Sequence, residues 1–215
     1  YASVLHTLQL LGMDGHYGPR RKVVVISYGS VSRGAIYALQ GRGFNNIHVY
    51  TRRPVHLVAD QNPDVYYYHL YPENGEYYAN PPIGKAEKFI DALADADIII
   101  NGILQDPVHP VIFVRNSDLK LLKRNTLIID ISCDKGMTFE FAVPTTFKDP
   151  LIRLDNNISY YSVDHAPSYL WNAASREISK ALIPFLNSLA GNGFDFHHDT
   201  TLSAAVEIEK GFIRN

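Results

Sequence analysis

Residues Val23-Val24-Val25-Ile26 are four β-branched apolar side chains in a row. A strand with one wet face alternates apolar and polar residues; an unbroken apolar run needs cover on both faces. The next residues supply that cover. A Gly/Ser turn follows, and then Ala35, Ile36, Ala38 and Leu39 recur at helix spacing. Gly41 and Gly43 stop the helix, and Ile47-His48-Val49-Tyr50 forms a second apolar run, which closes a βαβ unit of about 30 residues. Strands joined in this way lie parallel, with helices packed on both faces of the sheet.

The alternation continues along the chain. A helix is expected over residues 85–94, strands over 97–101, 126–131 and 158–163, and a short helix near Leu119. A long helix follows over 168–189, interrupted by Pro184, and Leu202, Ala205, Val206 and Ile208 offer one last apolar helical face. At the front, Val4, Leu5, Leu8 and Leu11 share one face of a helix that Gly12 ends. The Tyr-rich stretch 66–78 lacks the interleaved basic residues of a nucleic-acid platform and reads as packing or a lid. The expected fold class is α/β, with a doubly wound, Rossmann-type parallel sheet over residues 20–165. Residues 1–19 are expected to link to a second, incomplete substrate domain, to which the helices of 166–215 also belong.

Composition narrows the function. With 20 Lys and Arg against 22 Asp and Glu, the chain has no cationic excess for a phosphate backbone or an anionic membrane surface. No apolar run approaches the roughly 20 residues that cross a bilayer, and no signal-peptide pattern opens the sequence. Neither nucleic acid nor membrane is an expected partner, and a cytoplasmic location is expected. The single cysteine, Cys133, has no partner for an internal disulfide and no zinc-type neighbourhood, so no metal is expected. With no base beside it in the sequence, Cys133 reads as a small buried residue rather than a nucleophile. Tyr169 and Trp171 read as domain-packing residues.

Between the first strand and its helix the sequence is Ser27-Tyr28-Gly29-Ser30-Val31-Ser32, where a full dinucleotide fingerprint is G-x-G-x-x-G. Only the middle glycine is kept, at the position where backbone comes closest to a pyrophosphate, ahead of the free N–H groups of a helix start. The turn has two readings: a plain strand-to-helix connection, or a pyrophosphate seat made by Gly29, Ser30 and Val31. About 20 residues on, the second strand ends in Thr51-Arg52-Arg53, where an NAD-binding protein carries a carboxylate for the ribose 2′-hydroxyl. Two guanidiniums and a hydroxyl there suit a 2′-phosphate, which favours NADP(H); the alternative is a pair of solvated arginines.

From residue 97 onward the motifs become specific. They are Asp97-Ile-Ile-Ile-Asn101-Gly-Ile-Leu104, then Ile128-Ile-Asp130-Ile-Ser-Cys-Asp134-Lys-Gly136, then Pro144-Thr-Thr146 and Val163-Asp-His165-Ala-Pro167-Ser168. In this order they resemble the alanine dehydrogenase family, including its saccharopine dehydrogenase branch. The segment 133–186, with Pro167-Ser-Tyr-Leu-Trp171-Asn172, looks most like the carboxyethylornithine synthases, which are opine-type dehydrogenases. The resemblance implies an NADP(H)-dependent oxidoreductase acting on C–N bonds. Such an enzyme condenses pyruvate or a similar 2-oxo acid with an amino-acid amine and reduces the imine. Alanine or saccharopine dehydrogenase activity is the near alternative, and a nucleotide-binding module without turnover is the alternative of another class. Members of the family carry a further N-terminal segment of a little over a hundred residues, which supplies a Lys and a His for catalysis.

The resemblance also implies roles for single residues. Asp134 matches the family's active-site aspartate and would orient an amine or hold an iminium; the local alternative is a turn residue before Lys135-Gly136. Ile103 and Leu104 would line the path of the cofactor. Val163 and His165 would stand beside it, His165 donating to the ribose or to a substrate carboxylate, unless it is a satisfied structural histidine. Small-molecule substrates, a 2-oxo acid and an amino acid, are the expected partners, in a homo-oligomer.

Overall fold

The computed structural model describes residues 1–81 and 83–214. By internal packing the chain separates into two compact units, Tyr1–Tyr169 and the residues from Leu170 onward. The first unit opens with α1 (Ala2–Leu10), after which Gly12 takes a left-handed φ of 60°. Next come β1 (Val23–Ile26), α2 (Ser30–Gly41), β2 (Ile47–Thr51), β3 (Tyr66–Glu73), β4 (Glu76–Asn80) and β5 (Glu87–Lys88). They are followed by α3 (Phe89–Ala94), β6 (Ile98–Asn101), β7 (Ile112–Val114) and β8 (Leu127–Asp130). The unit closes with β9 (Thr138–Phe139), β10 (Leu151–Arg153) and β11 (Ser159–Tyr161).

Nine of these strands form one sheet in the order β10-β11-β8-β6-β1-β2-β3-β4-β5. The six from β11 to β3 run parallel, which is the doubly wound arrangement expected from the apolar runs. Strands β10 and β4 are antiparallel to their neighbours, as is β5 to β4, so both edges depart from the parallel pattern. Side chains alternate across the sheet and fill two cores. Val23, Val25, Val49, Ile98, Ile100 and Ile129 pack with Ala35, Ile36 and Leu39 of α2 and with Val4 and Leu8 of α1. Val24, Ile26, Ile99 and Ile128 pack with Phe89, Ala92 and Leu93 of α3 and with Phe113 and Leu119. All four residues of β1 are fully buried, each burial worth about 1.5–3 kcal/mol, and a polar residue in either register would face one of the two cores.

Several expectations shift in detail. The helix expected over 85–94 starts only at Phe89, because Glu87 and Lys88 pair with Ala79 and Tyr78 of β4 and Lys88 also makes an ion pair with Glu76 at 2.8 Å. The Tyr-rich stretch is not a lid but a hairpin, β3 turning into β4 through Asn74 and Gly75, both at positive φ, with Tyr71 and Tyr78 stacked across it. The short segment at Leu119 is a 3₁₀ helix over Asn116–Leu121.

In the second unit α4 (Trp171–Gly191) accommodates Pro184 without ending. The last helix, α5 (Thr200–Ala204), is shorter than its apolar pattern. Beyond it Lys210 and Gly211, at φ of 51° and 85°, turn β12 (Ile208–Glu209) back on β13 (Phe212–Ile213). Among the described residues no helix is long and apolar enough to cross a membrane.

Candidate functional site

From β1 the chain winds outward through β2 and β3, then returns to the other side of β1 for β6, β8 and β11. The winding reverses between β1 and β6, and in open α/β sheets ligands bind in the crevice outside the carboxyl ends of the strands at such a point. Gly29 stands there as the N-cap of α2, with φ −91° and ψ −176° and no side-chain cap. Any residue can adopt that backbone, and where a Cβ would lie on Gly29 the nearest atom is Ser27 Oγ at 3.9 Å. Nothing in the chain itself requires glycine; the open space above the first-turn N–H groups of Ser30, Val31 and Ser32 is what an approaching phosphate requires.

The outer fingerprint positions hold serines, each with a structural consequence. Ser27 sits at φ 81°, a conformation costing a non-glycine residue about 1–3 kcal/mol. Ser32 is fully buried and its hydroxyl donates to the Ile26 carbonyl at 3.3 Å. The residue facing Ser32 across this contact is a glycine. A Cβ on Gly102, just after β6, would lie 2.5 Å from Ser32 Oγ. Tyr28, buried between the serines, donates its hydroxyl to the Asp60 carbonyl at 2.9 Å and packs edge-on against Tyr67. Arg33 lies over the Tyr28 ring and is paired with the Asp60 carboxylate at 3.0 Å.

At the end of β2, Thr51 is buried and its hydroxyl accepts from the Arg53 N–H at 3.3 Å, which fixes the start of the following turn. Arg52 and Arg53 are exposed, and among the described residues neither side chain makes a hydrogen bond or an ion pair. Ile103 is buried behind the β6 loop, whereas Leu104 is 92% exposed.

Between the ends of β6, β8 and β11 lies a closed polar network. Asn101 Nδ2 donates to Asp130 Oδ1 at 2.7 Å, and Tyr160 donates its hydroxyl to Asp130 Oδ2 at 2.9 Å. Asn101 Oδ1 accepts in turn from the Ile103 N–H at 3.2 Å. Burial pushes the Asp130 carboxyl up to about 6, against the lowering effect of the two donors.

After β8, the Asp134 N–H donates to the Ser132 carbonyl at 2.8 Å, and the Asp134 carbonyl accepts from Met137 across Lys135 and Gly136. Asp134 is exposed, and its carboxylate has no hydrogen bond among the described residues; the turn uses only its backbone. Cys133 is half-buried, and burial with the nearby charges of Asp130 and Asp164 pushes its thiol up to about 11, so it stays protonated at neutral pH. Val163 is buried and bridges to Thr145, while His165, at φ 54°, holds its ring in solvent, 3.4 Å from the Asp164 carboxylate.

Residues 19–215 match the family model for the C-terminal domain of alanine dehydrogenase/PNT. The chain belongs to that family. Among its relatives is N(5)-(carboxyethyl)ornithine synthase of Clostridium botulinum, 29% identical over 84% of this chain and 46% of the relative. Alanine dehydrogenase 1 of Staphylococcus aureus is 25% identical over 60% of this chain and 35% of its own length. The chain therefore spans less than half the length of these relatives. The fold agrees with that of a transhydrogenase from Sinorhizobium meliloti, with a TM-score of 0.69 at 16% identity over 99% of this chain and 62% of the other.

As an alanine dehydrogenase/PNT C-terminal domain, the chain brings Gly29, Ser30, Val31, Ile103, Asp134, Val163 and His165 to the carboxyl edge of one sheet, with Thr51, Arg52 and Arg53 at the end of the neighbouring strand. Two cavities lie elsewhere. One of about 570 Å³ is lined by Gln40, Phe44 and Val65 near the amino ends of β2 and β3. The other, of about 430 Å³, lies between the β4–β5 hairpin and Phe113. Sequence reasoning missed Tyr28, the Ser32–Gly102 contact and the Asp130 network. For the last a signal existed: Ile98-Ile-Ile-Asn101 and Leu127-Ile-Ile-Asp130 are buried strands each ending in one polar residue.

Proposed function

We propose that this domain is the nucleotide-binding part of an NADP(H)-dependent oxidoreductase acting on C–N bonds, which joins a 2-oxo acid such as pyruvate to an amino-acid amine and reduces the product. Support for the reaction comes from the similarity to the N(5)-(carboxyethyl)ornithine synthase of Clostridium botulinum and from the resemblance of residues 133–186. The observation that carries the cofactor reading is the pair Arg52 and Arg53, exposed and without a partner among the described residues at the end of β2. A nicotinamide cofactor, when bound, supplies the hydride. The chain's own contribution is to bind and orient. The N–H groups at the start of α2 receive pyrophosphate oxygens over Gly29, and the two guanidiniums take the 2′-phosphate through planar forks of donors. Ile103 and Leu104 line the path from there toward the loop after β8, and Val163 and His165 border it. The Asp134 carboxylate, free of hydrogen bonds, faces the amine as its charge develops.

The experiment is calorimetric titration of the 215-residue chain with NADPH and NADH. NADPH is expected to bind at least tenfold more tightly. Changing Arg52 and Arg53 together to Ala is expected to remove that preference while leaving NADH affinity within twofold. Equal affinities before mutation would refute the assignment of the arginines.

A further inference from the structure

We infer that Asp130 is a positioning residue whose carboxylate, held between Asn101 of β6 and Tyr160 of β11, fixes the loops carrying the proposed nucleotide contacts; the inference rests on the nucleotide reading above.

Register places the three side chains. Asn101 and Asp130 are direct partners across β6 and β8, and Asn101 is likewise opposite Ile26, the last residue of β1 before the glycine turn. Tyr160 reaches the same carboxylate from the far side of β8. Asn101, Asp130 and Tyr160 are all 1% exposed or less. The network therefore sits where the loops to Ile103, to Asp134 and to Val163 leave the sheet. Through Asn101 Oδ1 it fixes the Ile103 N–H directly, and the Asn101 carbonyl accepts from Ile131 at 2.9 Å, so one asparagine ties both loops.

The chemistry of the site calls for a carboxylate. Both side-chain groups facing Asp130 are donors, an amide N–H and a phenol O–H, so the residue between them must offer two acceptors. An asparagine there would offer one acceptor, and with its N–H₂ turned to the Tyr160 oxygen the phenol proton would lose the acceptor it now has. A core selected for stability alone would be served as well by an apolar residue, since a buried charge costs desolvation that packing does not. The titratable groups around Asp130 are Tyr160 from β11 and, beyond β8, Cys133 and Asp134; from β6 the neighbour is the neutral Asn101. None of the three residues is assigned contact with the nucleotide.

The test is NADPH affinity by fluorescence, at a temperature where each protein is folded by near-ultraviolet circular dichroism. Asp130→Asn and Asn101→Asp are each expected to weaken binding tenfold or more: the first loses an acceptor, and the second sets two carboxylates face to face. The reciprocal double variant exchanges the two groups and restores every pair. Its carboxylate, now on β6, accepts from the Ile103 N–H and from the amide now on β8, and the oxygen of that amide accepts from Tyr160. It is expected to return affinity to within threefold of wild type. Val4→Ala in the core beside α1 is expected to lower Tm without changing affinity, which separates positioning from stability. Should the single variants not fold, Tyr160→Phe, which keeps the Asn101–Asp130 pair, is expected to weaken binding severalfold. Unaltered affinity in the folded variants, or a folded double variant that stays weak, overturns the inference alone. A wild-type chain that binds neither NADPH nor NADH overturns the nucleotide reading and this inference with it.

Discussion

At residue 29 the chain holds open a space that it does not itself use. A Cβ there meets no atom beyond its chain neighbours closer than Ser27 Oγ, and the backbone is one that any residue adopts. Gly29→Val is therefore expected to cost about 1 kcal/mol of stability at most, through loss of the favoured N-cap, while lowering nucleotide affinity tenfold or more. Thermal melts beside calorimetry separate the two effects; a large fall in Tm would mean the glycine serves the fold. At Asp134 the argument runs through the side chain. Because its carboxylate makes no hydrogen bond, Asp134→Asn is expected to leave stability within about 0.5 kcal/mol of wild type. In a form of the protein that turns over, kcat is expected to fall tenfold or more at unchanged NADPH affinity. An early melt with kcat intact would make Asp134 a turn residue only.

Between elements, the tightest fit near the site is that of α2 against the loop after β6. Gly102→Ala is expected to destabilise by about 1–3 kcal/mol, since its Cβ would fall 2.5 Å from Ser32 Oγ. Ser32→Gly in the same chain is expected to recover most of that loss, and a double-mutant cycle in urea measures the coupling; additive effects would show that the two do not share the space. Elements of this kind are unevenly legible in the sequence. The β1 and β6 strands are readable because burial on both faces writes itself as an unbroken apolar run. The start of the glycine turn is readable because Gly29 keeps the central position of the fingerprint. Glu87 and Lys88 are not, because nothing local says that they join the edge of a sheet rather than the first turn of α3. Asn74-Gly75 does announce the β3–β4 hairpin, but the tyrosines around it carry a packing signal that competes with it. The Asp130 network is half legible: each apolar strand ends in one polar residue, but that Asn101 and Asp130 stand opposite each other depends on the register between strands 29 residues apart in sequence.

For the molecule as a whole, two titrating groups bear on stability with opposite sign. His48 accepts from the Tyr68 hydroxyl and donates to Asn46, and burial, reinforced by the charges of Lys22 and Arg20, pushes its imidazole down to about 4. The unfolded chain takes up that proton near 6.5, so this contribution is present above pH 6.5 and is lost as pH falls toward 4. Asp130, held up to about 6, behaves in reverse: its contribution is lost as pH rises through 6 and recovers toward pH 4. His48→Gln removes one side of the balance. Relative to wild type, the variant is expected to gain stability as pH is lowered from 6.5 to 4, with a slope of at most about 1.4 kcal/mol per pH unit. Urea titrations at several pH values measure it, and a constant difference between the two proteins would show that His48 does not titrate this way. The sheet carries one further consequence at its margins. Its outermost strands are the two-residue β5, with both side chains exposed and Lys88 on the rim, and the three-residue β10, ending in Arg153. Strands so short and so charged give a stray extended peptide little backbone to bond. Nine strands thus close off their own growth, which guards a Val- and Ile-rich sheet against fibrillar self-assembly.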